Sequence, residues 1–282
     1  MVDISTIRAP LFLPATRLDR LAKAAASGAD ALIIDLEDAV AASDKDTARQ
    51  GLLALAARGP NLGNATPLPP LILRINAADT VWYEDDLAAI SALPLHAVML
   101  PKAETSASLH CLAGGLNGLI SVIALIETVQ GLEDARSIAA TPGISRLAFG
   151  SIDFCADLGC AHHRDILLSA RLKLVTASRL GQKPAPFDGV TVQLDDMALT
   201  EADASHARDL GMTGKLCIHP KQIAAVHRAF APSEKDIAWA TRVLGLPDRG
   251  AVNVDGEMVD EPVRIRARAI LAQSQTELKT GV

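Results

Sequence analysis

Leu119–Glu127 reads LISVIALIE: seven of its nine residues are apolar, and the run stops on a carboxylate. The apolar residues do not alternate with polar ones, so a strand built from them is covered on both faces. That is the pattern of a parallel strand in an α/β fold. Such a strand delivers its last residue to the rim of the sheet, where open α/β folds and barrels place their chemistry. A second run, Arg146–Asp153 (RLAFGSID), also ends on a carboxylate. Two acids at neighbouring strand ends are able to share one hard cation.

Six further runs of this kind surround the pair: 9–14 (APLFLP), 31–36 (ALIIDL), 71–75 (LILRI), 97–101 (AVMLP), 187–194 (FDGVTVQL) and 215–220 (KLCIHP). Helical spacing fills the gaps. A first helix follows Pro14, with Gly28 as its C-cap, and a second spans 43–58, with Ser43 or Asp44 as N-cap. Others are read over 83–92, 105–113, 131–141, about 164–181 and 200–210. Eight strands alternating with helices predict a (β/α)8 TIM barrel over residues 1–230, a fold whose usual size is ~250 residues. A doubly wound open sheet is the alternative; no GxGxxG follows any strand, which counts against it. Pro60–Pro70, rich in Pro, Gly and Asn, reads as a loop within the domain. Residues 231–282 read as a helical lid extension: a helix capped by Ser233, a Gly- and Asp-rich stretch, and a final helix over 262–278. This extension shows little apolar surface of its own and is expected to pack on the barrel or on a neighbouring subunit.

Composition narrows the function classes. The chain has 282 residues, 49% hydrophobic but only 3% aromatic, with a formal charge of −6. No basic block exceeds two adjacent residues, and stacking aromatics are scarce, which argues against nucleic acid as a partner. Four cysteines, none in a CxxC pair, fit a reduced cytoplasmic setting and read as core filler. The N-terminus carries no basic segment followed by an apolar one, and no apolar run reaches membrane-spanning length. A soluble, unexported protein is expected.

Glu127 and Asp153 are the candidate cation ligands, since magnesium takes one or two carboxylates plus waters and substrate oxygens. The plainer alternative is that each acid caps the helix that follows it. Arg74 interrupts an aliphatic strand and requires a partner. That partner is a structural acid such as Glu37 or Asp38, a substrate carboxylate or carbonyl matched to the planar guanidinium, or both. Asp35, Glu37 and Asp38 crowd one strand end and must be offset by a cation or a proton. They read as acceptors for metal-bound waters, with a solvated loop as the alternative. Arg17, Arg20 and Lys23 recur at i, i+3, i+6 along one helix face, suited to ligand phosphates or to solvent. His219, at the last strand's end, either lines the pocket or is a hydrogen-bonded structural residue. His162 and His163 receive no role.

These residues sit in segments that together resemble the HpcH/HpaI aldolase and citrate lyase β-subunit family: LFLPATRLDRLAKA, SGADALIIDLEDAV, LILRINAADTVWYEDDL, VMLPKAE, ALIETVQGL, LAFGSIDFCADLG, DGVTVQLDD, GKLCIHPKQ, FAPSEKDIAWA and GEMVDEPV. They run in the family's order from about residue 9 to 263. The resemblance implies a TIM barrel with a C-terminal lid, assembled as a homotrimer or hexamer, and possible membership of a citrate lyase-type complex. It implies Mg2+ on Glu127 and Asp153, and a 2-keto or 2-hydroxy acid on Arg74. Glu37 and Asp38 match the acids supporting the metal waters and the arginine. Arg17, Arg20 and Lys23 lie where the family meets coenzyme A or substrate. Asp260, in GEMVDEP, matches an aspartate lent to a neighbouring subunit's site. The activity implied is carbon–carbon cleavage of a 3-hydroxyacyl-CoA to acetyl-CoA and a 2-keto acid; a malyl-CoA thioester hydrolase and a keto-acid-binding subunit without turnover of its own are the alternatives. One departure is Ala15-Thr16 where the family usually has Gly-Asn or Gly-Ser.

Overall fold

In the structure, a computed structural model, residues 3–57, 68–116, 120–246, 252–254 and 257–280 are described. Leu119 and the 60–67 part of the expected loop lie outside them. The chain divides into two compact units, Met1–Ala229 and Phe230–Val282.

The first unit is a (β/α)8 barrel. Its strands are β1 (Pro10–Pro14), β2 (Ala31–Asp35), β3 (Leu71–Arg74), β4 (Ala97–Leu100), β5 (Ser121–Ile126), β6 (Ile144–Phe149), β7 (Phe187–Asp188) and β8 (Gly214–Lys215). Each pairs in parallel with the next in sequence. The ring closes between β8 and β1. Lys215 N–H donates to Arg8 O (2.8 Å), Cys217 N–H to Pro10 O (2.9 Å), and Phe12 N–H to Cys217 O (2.9 Å). That closure excludes the open sheet. The helices are α1 (Leu21–Ala25), α2 (Lys45–Ala56), α3 (Tyr83–Ile90), α4 (Ala107–Gly115), α5 (Val129–Ala140), α6 (Ser151–Leu158), α7 (Leu168–Leu180), α8 (Met197–Asp209) and α9 (Ile223–Phe230).

Five local expectations are corrected. The run 146–153 is not one strand: β6 ends at Phe149, and Asp153 sits in the first turn of α6. The chain turns at Gly150, where a Cβ would come within 2.4 Å of Glu127 Oε2. β7 stops after two residues because Gly189 passes against α6, where a Cβ would meet Ser151 Oγ at 2.1 Å. β8 is equally short, and Pro220 starts a capped 3-10 turn instead of a ladder. The segment after β1 is a 3-10 turn over Ala15–Arg20, non-helical at Arg17, followed by the single-turn α1. Arg17, Arg20 and Lys23 therefore do not share one α-helical face. The α2 start at Asp44 uses no side-chain cap; the Ser43 hydroxyl bonds to Asp44 instead.

Inside the barrel, alternate residues form the packed centre: Ile33, Ile72, Met99, Ile123, Leu125, Ala148, Phe187 and Leu216 belong to one cluster. The intervening residues, such as Leu32, Leu73, Val98 and Ala124, are buried on the opposite side of the strands. Continuing the inward register by two residues from Ile33, Ile72 and Leu125 reaches Asp35, Arg74 and Glu127. The charged residues are thus the top layer of the same stack. At the other end of the barrel Arg146 is fully buried. It donates to Ile4 O (2.8 Å), Ile7 O (2.9 Å), Ala185 O (2.8 Å) and Thr213 Oγ1 (2.9 Å), with its guanidinium 3.5 Å from the Phe187 ring centroid.

The second unit holds α10 (Glu234–Leu244), a short antiparallel pair of β9 (Val252–Val254) and β10 (Glu257–Val259), and α11 (Glu261–Thr280). Ser233 caps α10 as expected, and Asp236 returns the bond to the Ser233 N–H. The expectation of little apolar surface is corrected, because Ala240, Val243, Val259 and Ala267 are buried together with Trp239, Val263 and Leu271 packed on them. No helix of the described residues is long and apolar enough to cross a membrane.

Candidate active site

The C-terminal ends of the barrel strands surround a cavity of about 450 Å3. Phe12, Asp35, Asp38, Arg74, Glu127, Ser151, Asp153 and Ile218 are among its lining residues. The barrel therefore brings Arg74, Asp38, Glu127 and Asp153 together.

Arg74 and Asp35 are register partners on β3 and β2. Asp35 grips the guanidinium with both oxygens, at 2.7 Å to Nε and 2.7 Å to Nη2. Glu37 Oε2 lies 2.9 Å from Nη1 as an ion pair without the alignment of a hydrogen bond, and Asp38 approaches to 3.4 Å. Burial alone would lower the Arg74 pKa, but the Asp35 hydrogen bonds and the Asp35, Glu37 and Asp38 charges carry it above its ordinary value. Arg74 is a permanent cation. Its main partner, Asp35, is not among the acids the sequence reading pairs with it. The signal was the inward register that the two strand-final residues share.

Glu127 is 1% exposed. Its Oε1 accepts the Lys102 N–H at 2.8 Å, whereas its buried Oε2 has no hydrogen-bond partner. Burial, then the neighbouring Glu37 charge, push its pKa up to about 8 despite Arg74 and the Lys102 bond. Glu37 is pushed up to about 7, chiefly by burial, with Arg74 opposing. Asp153 is raised as well, by burial and by Asp38. Three neighbouring carboxyls that resist ionisation, those of Glu127, Glu37 and Asp153, mark a place short of positive charge. The orphaned Oε2, the carboxylate pair and the glycine at position 150 fit one small hard cation. Among the described residues no group of three or more His, Cys, Asp and Glu side chains forms a metal cage. The fit is therefore to an ion that takes two carboxylates and completes its shell with water and ligand oxygens, as magnesium does. The helix-capping alternative for Glu127 is not seen: Thr128 accepts from Gly131 N–H and caps α5.

Of the barrel's other candidates, Arg17, Arg20, Lys23 and His219 are not among the residues lining this cavity. Arg17 pairs with Asp19 (3.0 Å), and Arg20 and Lys23 are exposed. Of the two roles open to His219, the structure shows a capping one, its ring accepting the Lys221 N–H at 3.2 Å. Asp260 belongs to the second unit, where it accepts the N–H groups of Val263 and Arg264 at the start of α11. Two features had no sequence signal. His162 Nε2 is 2.9 Å from Ser151 Oγ at the cavity wall. Lys102, which holds Glu127 in place, adopts φ +46, a left-handed backbone. Cys155 and Cys217 are buried as expected, but Cys111 is exposed and Cys160 half-buried.

The Lys102 conformation yields a prediction. A non-glycine residue in the left-handed region carries about 1 kcal/mol of strain. Lys102→Gly keeps the N–H that holds Glu127, so its unfolding midpoint in urea is expected to rise. A lower midpoint would show that the lysine side chain contributes more than the strain costs.

Comparison with known proteins agrees with this geometry. The sequence profile of the HpcH/HpaI aldolase/citrate lyase family matches residues 8–220. A citrate lyase subunit beta-like protein of Deinococcus radiodurans is 36% identical over 278 residues, covering 94% of this chain and 96% of its own. A (3S)-malyl-CoA thioesterase of Cereibacter sphaeroides is 32% identical, covering 95% of this chain and 94% of its own. The crystal structure of CitE from Mycobacterium tuberculosis, in complex with magnesium, acetoacetate and coenzyme A, superposes with a TM-score of 0.84 at 35% identity, covering 96% of this chain and 100% of that one. With a profile spanning most of the barrel and relatives aligned over nearly the whole length, the chain belongs to the HpcH/HpaI aldolase/citrate lyase family.

Proposed function

We propose that the protein is a magnesium-dependent carbon–carbon lyase cleaving a 3-hydroxyacyl-CoA of the citramalyl-, malyl- or citryl-CoA type to acetyl-CoA and a 2-keto acid. The observation that supports it most is the buried, unpartnered Oε2 of Glu127 in one cavity with Asp153 and Arg74. Glu127 and Asp153 would hold the ion, which when bound supplies Lewis-acid polarisation of the substrate's carboxylate and hydroxyl oxygens. Arg74, fixed by Asp35 and flanked by Glu37 and Asp38, binds the acid end and stabilises negative charge on the hydroxyl oxygen as its proton leaves. Asp260, from a neighbouring subunit of a homotrimer or hexamer, takes that proton. The carbon–carbon bond then breaks to the keto acid and an acetyl-thioester enolate, which is protonated. Arg17, Arg20 and Lys23 are proposed for the phosphates of coenzyme A.

The second reading is thioester hydrolysis on the same site, favoured by the relatives named (3S)-malyl-CoA thioesterase. Mass spectrometry of products from citramalyl-, malyl- and citryl-CoA, with magnesium or with chelator, tests both. Magnesium-dependent acetyl-CoA plus keto acid supports the lyase. Free CoA with intact hydroxy acid replaces it with the hydrolase.

Asp260→Asn is expected to lower kcat by about a hundredfold, the usual contribution of a positioned acid–base group, with little change in KM. Steady-state kinetics at unchanged activity would remove Asp260 from the scheme. Magnesium affinity is expected to fall as the pH is lowered. Glu127, pushed up to about 8, is largely protonated in the metal-free protein at neutral pH and must lose that proton to ligate a cation. Calorimetry at pH 7 in two buffers of different ionisation enthalpy is expected to show proton release on binding, and affinity rises between pH 6.5 and 9. Proton-neutral binding would contradict the assignment.

A further inference from the structure

Beneath the exits of β2 and β3 lies a ring of four buried polar side chains that touches nothing in the cavity. Lys45 opens α2, and its ammonium donates to Leu36 O (2.9 Å), Glu37 O (3.0 Å) and Asn76 Oδ1 (2.5 Å). Asn76 donates through both its backbone N–H (2.8 Å) and its side-chain amide (2.6 Å) to Asp86 Oδ2 on α3. Asp86 Oδ1 accepts from Arg49 Nε at 2.9 Å. Arg49 lies four residues after Lys45 on the same face of α2, so the circuit returns to its starting helix. Relative exposures are 6% for Lys45, 1% for Asn76, 0% for Asp86 and 6% for Arg49. Trp82, just before α3, stacks against the Lys45 ammonium at 4.9 Å.

The placement of the acceptors matters more than their number. Leu36 and Glu37 carry the backbone between Asp35 and Asp38, the stretch whose carboxylates hold Arg74. Asn76 lies two residues beyond Arg74. One ammonium thus spans the two chain segments that supply both halves of the arginine–acid cluster, from the side away from the cavity. Lys45 also meets only neutral acceptors. A charge buried this deeply without a carboxylate in contact is costly, and a well-packed apolar set of similar volume is commonly as stable or more so. What the polar ring adds is a fixed registry between strand ends.

We propose that the Lys45–Asn76–Asp86–Arg49 ring is the positioning element of the active site, and that Lys45 sets the Glu37 backbone relative to Arg74 so that the guanidinium is correctly aimed for an anionic ligand. This rests on the reading of Arg74 as the keto-acid contact. Lys45 is a positioning residue and touches no ligand.

The test is binding rather than turnover. The dissociation constants of pyruvate and oxaloacetate in saturating magnesium are measured by calorimetry for wild type, Lys45→Met, Arg74→Met and the double variant. Lys45→Met keeps the length of the stem and removes all three donors. It is expected to weaken keto-acid binding at least tenfold. In the Arg74→Met background the same change is expected to add less than about twofold, because the ring acts through the arginine. Equal weakening in both backgrounds, or binding within twofold of wild type alongside a lowered melting temperature, overturns the proposal and leaves the ring a stability feature. If Lys45→Met does not fold, Asn76→Ala, which removes the side-chain acceptor for Lys45 and the amide bond to Asp86 while keeping the backbone one, is measured in the same cycle with the same criteria. No keto-acid binding by folded wild-type protein overturns the ligand reading of Arg74 and this inference with it, an outcome separate from a failure confined to the variants.

Discussion

Glu127→Ala is expected to lower magnesium-dependent turnover by about 10³-fold or more, the scale of removing a principal electrostatic contact in a water-poor site. The same variant is expected to fold normally. Its carboxylate is buried, and the resistance of that group to ionisation, up to about pH 8, means that the folded protein is penalised for each charge it keeps there. Alanine removes the penalty; against this stand the lost packing and the Lys102 N–H left without its acceptor. Magnesium is expected to raise the melting temperature of the wild type and to leave that of the variant unchanged. Glu127→Gln separates charge from shape, and should resemble alanine in turnover. An alanine variant that still responds to magnesium would end the assignment of this residue as a ligand.

Arg146→Ala is expected to be the most destabilising single substitution in the barrel, by about 4 kcal/mol or more from the loss of a buried hydrogen-bond hub. The guanidinium satisfies carbonyls of Ile4, Ile7 and Ala185 and the Thr213 hydroxyl, drawn from the N-terminal segment, the approach to β7 and the approach to β8. No carboxylate is among them; burial pushes its pKa down to about 9, with the Asp3 charge opposing, and the hydrogen bonds that hold the cation all come from neutral dipoles. Removing it leaves these acceptors facing one another across a void beside Phe187. Denaturant unfolding is the measurement. Arg146→Met, which restores volume but no donors, should recover part of the cavity term and none of the hydrogen-bond term. If methionine is as stable as the wild type, packing rather than polarity closes the barrel floor.

These cases show what the sequence makes legible. The uninterrupted apolar runs announced buried parallel strands, their count announced the barrel, and Glu127 and Arg74 stood out as charges in aliphatic company. The missing variable was parity. When both faces of a strand are buried, nothing in the hydrophobic pattern says which residues point inward, so Asp35 was grouped with Glu37 and Asp38 although it alone shares the Arg74 register. Asp153 was read as a strand terminus because Gly150 interrupts β6 for a tertiary reason, the closeness of Glu127. β7 is short for a similar reason, since Gly189 yields to Ser151, a neighbour distant in sequence. Lys45 looked like any polar residue in a first helical turn; its acceptors are loop carbonyls, which no motif records.

The joint between β8 and β1 pairs Leu11 with Cys217, more than two hundred positions apart. Every other neighbouring pair in the ring is made by strands consecutive in the chain, so this contact closes the longest loop of the topology. During synthesis Arg74, Glu127 and Asp153 all emerge well before Cys217. The half-built sheet then exposes two apolar edges. The order of events during translation therefore makes the seam the step most exposed to aggregation.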